Sequence, residues 1–156
     1  MTLDSLPRVR IDGEPDAGTL SVLLPGLVDA MAPQHLARQR WFGSKATGIS
    51  RLELRDWAPF GTRNPASVLA LVRMRLVDGS EETYFVPWAT RPAAAAVAAG
   101  ATPAETLLVL ETSAGEMLLY DALADGSFSL EFAQRIGNEA SVRGNRGSFT
   151  FRSVGP

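Results

Sequence analysis

The dipeptide Asp78-Gly79 lies between two runs of alternating residues, and it constrains the fold more than any other feature of the chain. An Asp-Gly pair between such runs is the strongest short-range signal for a tight β-hairpin. The preceding run, SVLALVRMRLV, is apolar on both faces at first and then alternates, and the following run reads EETYFVPW. We therefore predict two antiparallel strands, with Pro87 capping the second strand or placing its end at a sheet edge.

Other segments with a period of two surround this hairpin. ISRLELRDW places Leu52 and Leu54 on one face of a predicted strand. The run PFGTRNP that follows has the composition of a loop. TLLVLET and EMLLYDAL predict a second hairpin around residues 113–115, and SFTFRSV reads as a last strand.

Helices are predicted on both sides of these strands. Apolar residues recur at helical spacing from Leu20, but Pro25 would break a central turn, so the first helix is expected to begin near or after Pro25. The second predicted helix is PQHLARQRWF, with Pro33 in its first turn and Gly43 as its terminator. FSLEFAQRI is a later candidate helix, capped by one of the two serines at 127 and 129.

These elements predict an α+β fold, in which one or two N-terminal helices pack on one face of a curved antiparallel sheet of hairpins. A second small portion would contain a hairpin and a helix. The long crossover helices of a parallel, doubly wound sheet are missing. The predicted divisions are a flexible tail or short edge strand at 1–17, a subdomain of helices and antiparallel strands at 18–90, an Ala/Pro-rich linker or short helix at 91–104, and a hairpin, helix and last strand at 105–156.

Composition excludes several classes of function. The chain has 156 residues, 46% of them hydrophobic, which is enough for about one domain with a core that needs no disulfide or metal. It has no cysteine and one histidine, His35, so thiolate and His-rich metal sites and cysteine nucleophiles are excluded. The net charge of -2 gives no general attraction for nucleic acid. The chain has no signal-peptide pattern or bilayer-length apolar run, and we expect a cytoplasmic protein without a membrane partner.

Motifs that carry chemistry are sparse. The sequence contains neither a phosphate-binding GxxxxGK[ST] motif nor a GxSxG nucleophile elbow. We expect Glu81-Glu82 to be solvated beside a turn, and Asp121 and Asp125 to cap or turn the chain. No catalytic, cofactor-binding or metal-binding residue is predicted. The tract Gly144–Ser148 is either a flexible cationic turn or an anion site formed by its backbone N–H groups and Arg146.

The stretch RQRWFGSK, residues 38–45, places two large aromatic rings between cations. Neighbouring residues of a helix point about 100° apart, so we predict that one ring enters the core and the other anchors the helix end. Burial of a large aromatic ring stabilises a fold by roughly 1.5–3 kcal/mol. The cations would complement the dipole at the helix C-terminus, and the exposed face of the stretch would dock another domain.

RWFGSK, before an ISRLEL-type strand, resembles the N-terminal cap domain of bacterial maltokinases, which also occur fused to trehalose synthase, and related caps of glucosamine-type sugar kinases. Weaker similarities are YFVPW, LLYDALADGSF and SFTF, so that the resemblance spans roughly residues 20–153. Ser44 departs from the usual glycine, and Ala46-Thr47 replaces the usual glycine and basic residue. The positions that match the family pattern are Gln39, Arg40, Trp41, Phe42, Gly43 and Lys45.

The resemblance implies that this chain is the non-catalytic cap of a larger sugar kinase, a phosphotransferase that uses ATP and magnesium. The parent would convert maltose to maltose 1-phosphate in glycogen and trehalose metabolism. Its kinase lobes would be the cap's partners in the same parent chain, with a trehalose synthase fused or bound to the parent. The resemblance gives a structural or docking role to Gln39, Arg40, Trp41, Phe42 and Lys45.

Two alternatives to the cap remain open at the level of sequence. The chain would otherwise be a stand-alone protein-interaction module with an exposed apolar or cationic patch. The other alternative is a small α+β enzyme of cone type. That alternative predicts a deep apolar pocket between the helices and the curved sheet, with a polar residue at its floor.

Overall fold

A computed structural model of the protein describes residues 2–61, 65–100 and 105–155. Its helices are α1 (Ala17–Ala30), α2 (Pro33–Ala37), α3 (Ala93–Ala98) and α4 (Gly126–Gly137). Its strands are β1 (Arg8–Arg10), β2 (Ile49–Phe60), β3 (Ser67–Leu76), β4 (Glu81–Pro92), β5 (Thr106–Thr112), β6 (Gly115–Asp121), β7 (Ser141–Arg143) and β8 (Ser148–Thr150).

The α+β prediction is confirmed. Six strands form a curled half-barrel in the order β1-β5-β6-β4-β3-β2, and β7 and β8 form a separate small sheet. All neighbours in the large sheet are antiparallel except β1 and β5, which run parallel. The predicted second small portion is present as the β7–β8 hairpin with α4. The β5–β6 hairpin is not part of it, because β6 pairs with the last residues of β4 and extends the large sheet.

The hairpin predicted at Asp78-Gly79 joins β3 to β4, and Gly79 has the left-handed φ of +87° that such a turn requires. Pro87 does not end β4, which continues to Pro92. The Thr90 N–H donates to the carbonyl of Ala66, directly before β3. The N–H groups of even-numbered β4 residues therefore point to β3, and those of odd-numbered residues point to the side of β6. Strand β6 pairs with β4 only from Trp88 onward. Pro87 is tolerated because no partner strand stands where its N–H would point.

Helix α1 begins earlier than predicted and contains Pro25. Asp16 caps its start, accepting a hydrogen bond of 2.7 Å from the Thr19 N–H. Pro25 cannot donate to the carbonyl of Ser21, but the Trp57 indole of β2 donates to that oxygen instead. The predicted break was wrong because a neighbouring strand replaces the missing helical donor.

Helix α2 ends at Ala37 rather than running through Phe42, so the prediction of a long second helix was wrong. Turns carry the chain onward, with the Phe42 N–H bonded to the Gln39 carbonyl. Helix α4 is capped by Asp125, whose carboxylate accepts from the N–H groups of Ser127 and Phe128, and not by either predicted serine. An aspartate directly before the helix satisfies its first donors better than a serine within it.

Within residues 2–17, β1 is an edge strand whose flanking residues are fixed to the sheet. Strand β1 pairs with β5, and the Ile11 N–H donates to the Glu111 carbonyl at 2.9 Å. The flanking side chains of Leu6 and Ile11 are buried, which fixes the segment against the sheet. In the Ala/Pro-rich segment 91–104, residues 93–98 form α3, whereas residues 101–104 lie outside the described part.

Both faces of the large sheet are covered, in contrast to the single covered face that the sequence predicts. Helices α1 and α2 pack on one face around the main core. The other face carries α4 with β7–β8 over Phe60, and α3 over Leu118. The predicted loop PFGTRNP begins within β2, and its residues 62–64 lie outside the described part.

Side chains fill the space between the N-terminal helices and the sheet. Those at no more than 2% exposure include Leu20, Leu24, Leu27, Leu36, Phe42 and Trp88. This is the position where the cone-type enzyme needs a deep apolar pocket. The packed side chains occupy that space, so the fold offers the enzyme alternative no support there.

Candidate functional site

The stretch RQRWFGSK crosses from the end of α2 to the start of β2 and lies against β4. It forms hydrogen bonds with three residues: Tyr84 and Glu82 of β4, and Asp121 at the end of β6. The stretch is therefore a loop that follows the helix, with each of its central residues attached to the sheet. We call the residues 41–44 with these three partners the anchor site.

Phe42 is the buried half of the aromatic pair. Its side chain is 1% exposed and belongs to the main core. Its ring centroid lies 5.6 Å from that of Tyr84, within the distance range of interacting aromatic pairs. The prediction that one ring enters the core is thus correct, although the ring leaves from a turn and not from a helix.

Trp41 is half-buried and contacts the same tyrosine, with ring centroids 5.3 Å apart. Its indole Nε1 donates a hydrogen bond of 3.1 Å to the Asp121 carboxylate. Burial raises the pKa of Asp121, and the hydrogen bonds from the Leu123 N–H and the Trp41 indole oppose that rise. The second ring therefore ties the loop to the junction that follows β6.

Ser44 has a defined structural contact although it departs from the family pattern. Its hydroxyl donates to one Glu82 oxygen at 2.5 Å, and the Tyr84 hydroxyl donates to the other at 2.6 Å. The hydrogen bond from Ser44, followed by that from Tyr84, lowers the pKa of Glu82. The Gly43 N–H completes the network at 3.4 Å from the Tyr84 oxygen. The loop therefore holds Glu82 in place, whereas the sequence predicts that Glu82 is solvated beside a turn.

The remaining predicted site residues divide into one buried and two exposed side chains. Gln39 is buried, and its Nε2 donates to the His35 carbonyl at 3.2 Å. Arg40 and Lys45 are exposed. Lys45 lies eight positions beyond the end of α2, so the predicted complement to the helix dipole does not hold for it, since that effect fades within one turn.

Sequence reasoning missed the partners of the anchor site. Tyr84, Glu82 and Asp121 are distant in sequence from the loop. The YFVPW and LLYDALADGSF similarities included Tyr84 and Asp121, but neither indicated a contact with the loop. Asp121 does cap the following turn as predicted, accepting from the Leu123 N–H at 3.0 Å. Its second role, as the acceptor for Trp41, depends on the sheet topology, which brings the end of β6 beside β4.

The glycine-rich turn between β7 and β8 binds a carboxylate of the chain itself. The Arg146 N–H donates to Asp56 at 2.9 Å, and the side chain of Asn145 donates to the Trp57 carbonyl at 2.9 Å. The Arg146 N–H of the turn thus bonds to a carboxylate of the chain itself, that of Asp56 in β2. It serves to fasten the β7–β8 hairpin to the large sheet.

Within residues 2–61, 65–100 and 105–155, no three side chains of the metal-binding types lie together. No helix of that part is long and apolar enough to cross a membrane. The polar groups of the anchor site are paired with one another, so the arrangement holds a loop in place. What it leaves for contact with a partner is the exposed cationic side of the loop, at Arg40 and Lys45.

A sequence model of the maltokinase N-terminal cap domain matches residues 35–125. The match begins in α2 and ends at the cap of α4, so it includes the anchor site and five of the six strands of the large sheet. A comparison with curated proteins finds no match to the chain.

Proposed function

The chain belongs to the maltokinase N-terminal cap domain family, and we propose that it is the non-catalytic cap of a maltokinase-like sugar kinase. The observation that carries the proposal is the family match over residues 35–125 together with the use of Trp41 and Phe42 as anchors of the fold. A cap of this kind would stabilise and orient the lobes on which phosphoryl transfer occurs.

In this proposal the parent enzyme transfers a phosphoryl group from ATP to maltose, with magnesium, and supplies glycogen and trehalose metabolism with maltose 1-phosphate in the cytoplasm. The reacting groups would lie on the kinase lobes of the parent, since phosphoryl transfer needs a phosphate clamp and a metal site. The anchor site supports placing the reacting groups on other lobes, because its carboxylates already accept hydrogen bonds within the chain. Asp121 accepts from Trp41, and Glu82 accepts from Ser44 and Tyr84.

Two activity measurements test the proposal. The chain alone is incubated with ATP, magnesium and maltose, and we expect no maltose-dependent ADP release above that of a buffer blank. The chain is then added to the kinase lobes of a maltokinase from which the cap has been deleted, and we expect higher activity or a higher unfolding temperature of the lobes. Albumin at the same concentration is the control for non-specific protection.

Either of two results would contradict the proposal. Maltose-dependent turnover by the chain alone would make it an enzyme. Lobes whose activity and unfolding temperature respond no more to the chain than to albumin would remove the cap function. In that case the interaction-module alternative, supported by the exposed cations Arg40 and Lys45, would gain weight.

A further inference from the structure

Helix α4 turns an uncharged face to solvent. A helix at the surface of a protein normally buries an apolar face and carries its charged residues on the opposite face. The two charged residues of α4, Glu131 and Arg135, are instead half-buried and pair with each other at 3.6 Å. The guanidinium carbon of Arg135 lies 5.6 Å from the centre of the Phe60 ring in β2, on the side of the sheet. The exposed residues of α4 after Gly126 form what we call its outer face, and all are uncharged: Ser127, Ser129, Leu130, Ala133, Gln134 and Gly137.

An apolar side chain stands in the middle of the outer face. Leu130 is 62% exposed, and Leu123, in the turn before the helix, is 50% exposed. Single exposed leucines are common on proteins, so the informative feature is that α4 places no exposed charge around Leu130. Charged residues make up 21% of the chain, and depletion of charge is typical of the centre of a protein interface. The exposed face of α1 differs, since it includes Asp29.

The last strand of the structure is held beside this helix. Phe151, directly after β8, is 7% exposed, and its ring lies 5.2 Å from that of Phe132 of α4 in an edge-on arrangement. Residues 152–155 are exposed and belong to no helix or strand. Four residues span at most about 14 Å when extended. In the proposed parent the kinase lobes follow the cap on the same chain, so they would be attached close to α4.

We propose that the outer face of α4 is the surface on which the following kinase lobe of the parent chain docks, an inference that rests on the proposed function. The contacting surface of the lobe would be uncharged and would cover Leu130 and Leu123. A short tether holds two modules at an effective concentration on the order of millimolar, so a small face is enough for docking. A separate partner protein lacks this advantage and needs a larger interface, which favours the tethered lobe as the occupant.

The test uses the absence of cysteine from the chain, because a single introduced thiol then reports the accessibility of its own position. Ala133→Cys places the thiol on the outer face, and Val22→Cys is the matched control on α1, where the side chain is 80% exposed. Each variant is made as the free chain and as the chain joined after residue 156 to cysteine-free kinase lobes of a maltokinase. The measurement is the rate at which a small thiol reagent labels the protein.

We expect the lobes to slow labelling of the Ala133→Cys variant by about 10-fold or more, because a docked tethered lobe covers the thiol most of the time. Labelling of the Val22→Cys variant should stay nearly unchanged. Adding Leu130→Lys to the joined Ala133→Cys protein should return labelling to the rate of the free chain, since it places a charge in the middle of the contact. The urea midpoint of the free chain should not change with Leu130→Lys, because the side chain is mostly exposed. This control separates loss of docking from loss of folding.

Three results would overturn the docking surface, and they differ from failure of the cap function. If the chain raises the activity or the unfolding temperature of the lobes but the thiol at position 133 stays accessible, the cap function stands and docking through α4 is wrong. If the thiols at positions 133 and 22 are protected equally, the contact is not specific to α4. If labelling at position 133 slows as the concentration of the free chain rises, the outer face binds a second copy of the chain. Lobes that neither respond to the chain nor protect position 133 would remove both the cap function and the docking surface.

Discussion

The indole Nε1 of Trp57 donates a hydrogen bond of 2.8 Å to the carbonyl oxygen of Ser21, in the middle of α1. Pro25 stands four residues after Ser21 and has no N–H to offer that carbonyl. A side chain 36 positions away in the sequence thus supplies the donor that the helix lacks. The contact explains how α1 passes through a proline and joins the helix to β2.

Replacement of Trp57 by Phe should destabilise the fold through this hydrogen bond. A carbonyl left without its donor costs about 1–3 kcal/mol, in addition to any packing lost with the smaller ring. Pro25→Ala restores an N–H that can donate to Ser21 within the helix. We therefore expect Trp57→Phe to cost less in the Pro25→Ala background, as measured by urea denaturation of all four proteins in a double-mutant cycle. Equal costs in the two backgrounds would show that the indole is not compensating for the proline.

Gly144→Ala should loosen the β7–β8 hairpin. A Cβ at this position would lie 2.7 Å from both Asp56 carboxylate oxygens, which is closer than such atoms approach one another. Asp56 cannot move aside without losing its bonds to the N–H groups of Trp57 and Arg146. We expect a loss of about 1–3 kcal/mol from the overpacking, seen as faster hydrogen exchange at the Arg146 amide.

Gly147→Ala is the matched control in the same turn, because a Cβ there would be 3.4 Å from Asp56, an ordinary contact distance. It should leave the exchange of the Arg146 amide nearly unchanged. If Gly144→Ala and Gly147→Ala had the same small effect, close approach to Asp56 would not be the reason for the glycine.

Stability should fall as the pH is lowered from 7 to 5 because of His35. Burial, followed by the charge of Arg38, lowers the pKa of His35 from its ordinary 6.5. The unfolded chain therefore takes up a proton near pH 6.5 while the folded chain does not, so stability is complete above that pH and decreases below it. His35 is the only histidine of the chain, so its contribution can be isolated in this range.

The measurement is the urea midpoint of the wild type and of His35→Leu at several pH values between 5 and 7. The buried Nδ1 of His35 has no hydrogen-bond partner among the residues that the structure describes, which makes an apolar replacement tolerable. We expect the midpoint of the wild type to decline across this range and that of the variant to stay nearly level. A variant with the same pH dependence as the wild type would rule out His35 as the group responsible.

The elements that could be predicted from the sequence are those whose signals are local. The hairpin at Asp78-Gly79 and the alternating strands around it required only a turn dipeptide and a period of two. The short strand β1 had no comparable pattern, because three residues at a sheet edge depend on the partner strand β5 for their conformation. Edge strands of this length are specified by pairing more than by sequence.

The anchor site was only half predictable, for a related reason. The sequence shows two adjacent rings and predicts that one is buried, but it gives neither the end of α2 nor the partners of the rings. Both rings contact Tyr84, and this requires the chain to leave the helix at Ala37 and to turn before Trp41. The sheet topology that brings Asp121 beside Trp41 is a tertiary property that no local pattern contains.

The free energy of unfolding of Phe42→Ala tests most directly the claim that this aromatic pair fastens the loop to the sheet. We expect a loss of about 3–5 kcal/mol, or no folded protein at all, with a smaller loss for Phe42→Leu that keeps the variant measurable by urea denaturation. Arg40→Ala, on the neighbouring exposed residue, should stay within about 0.5 kcal/mol of the wild type. A Phe42→Ala protein as stable as the wild type would contradict the claim and would leave the ring available for binding.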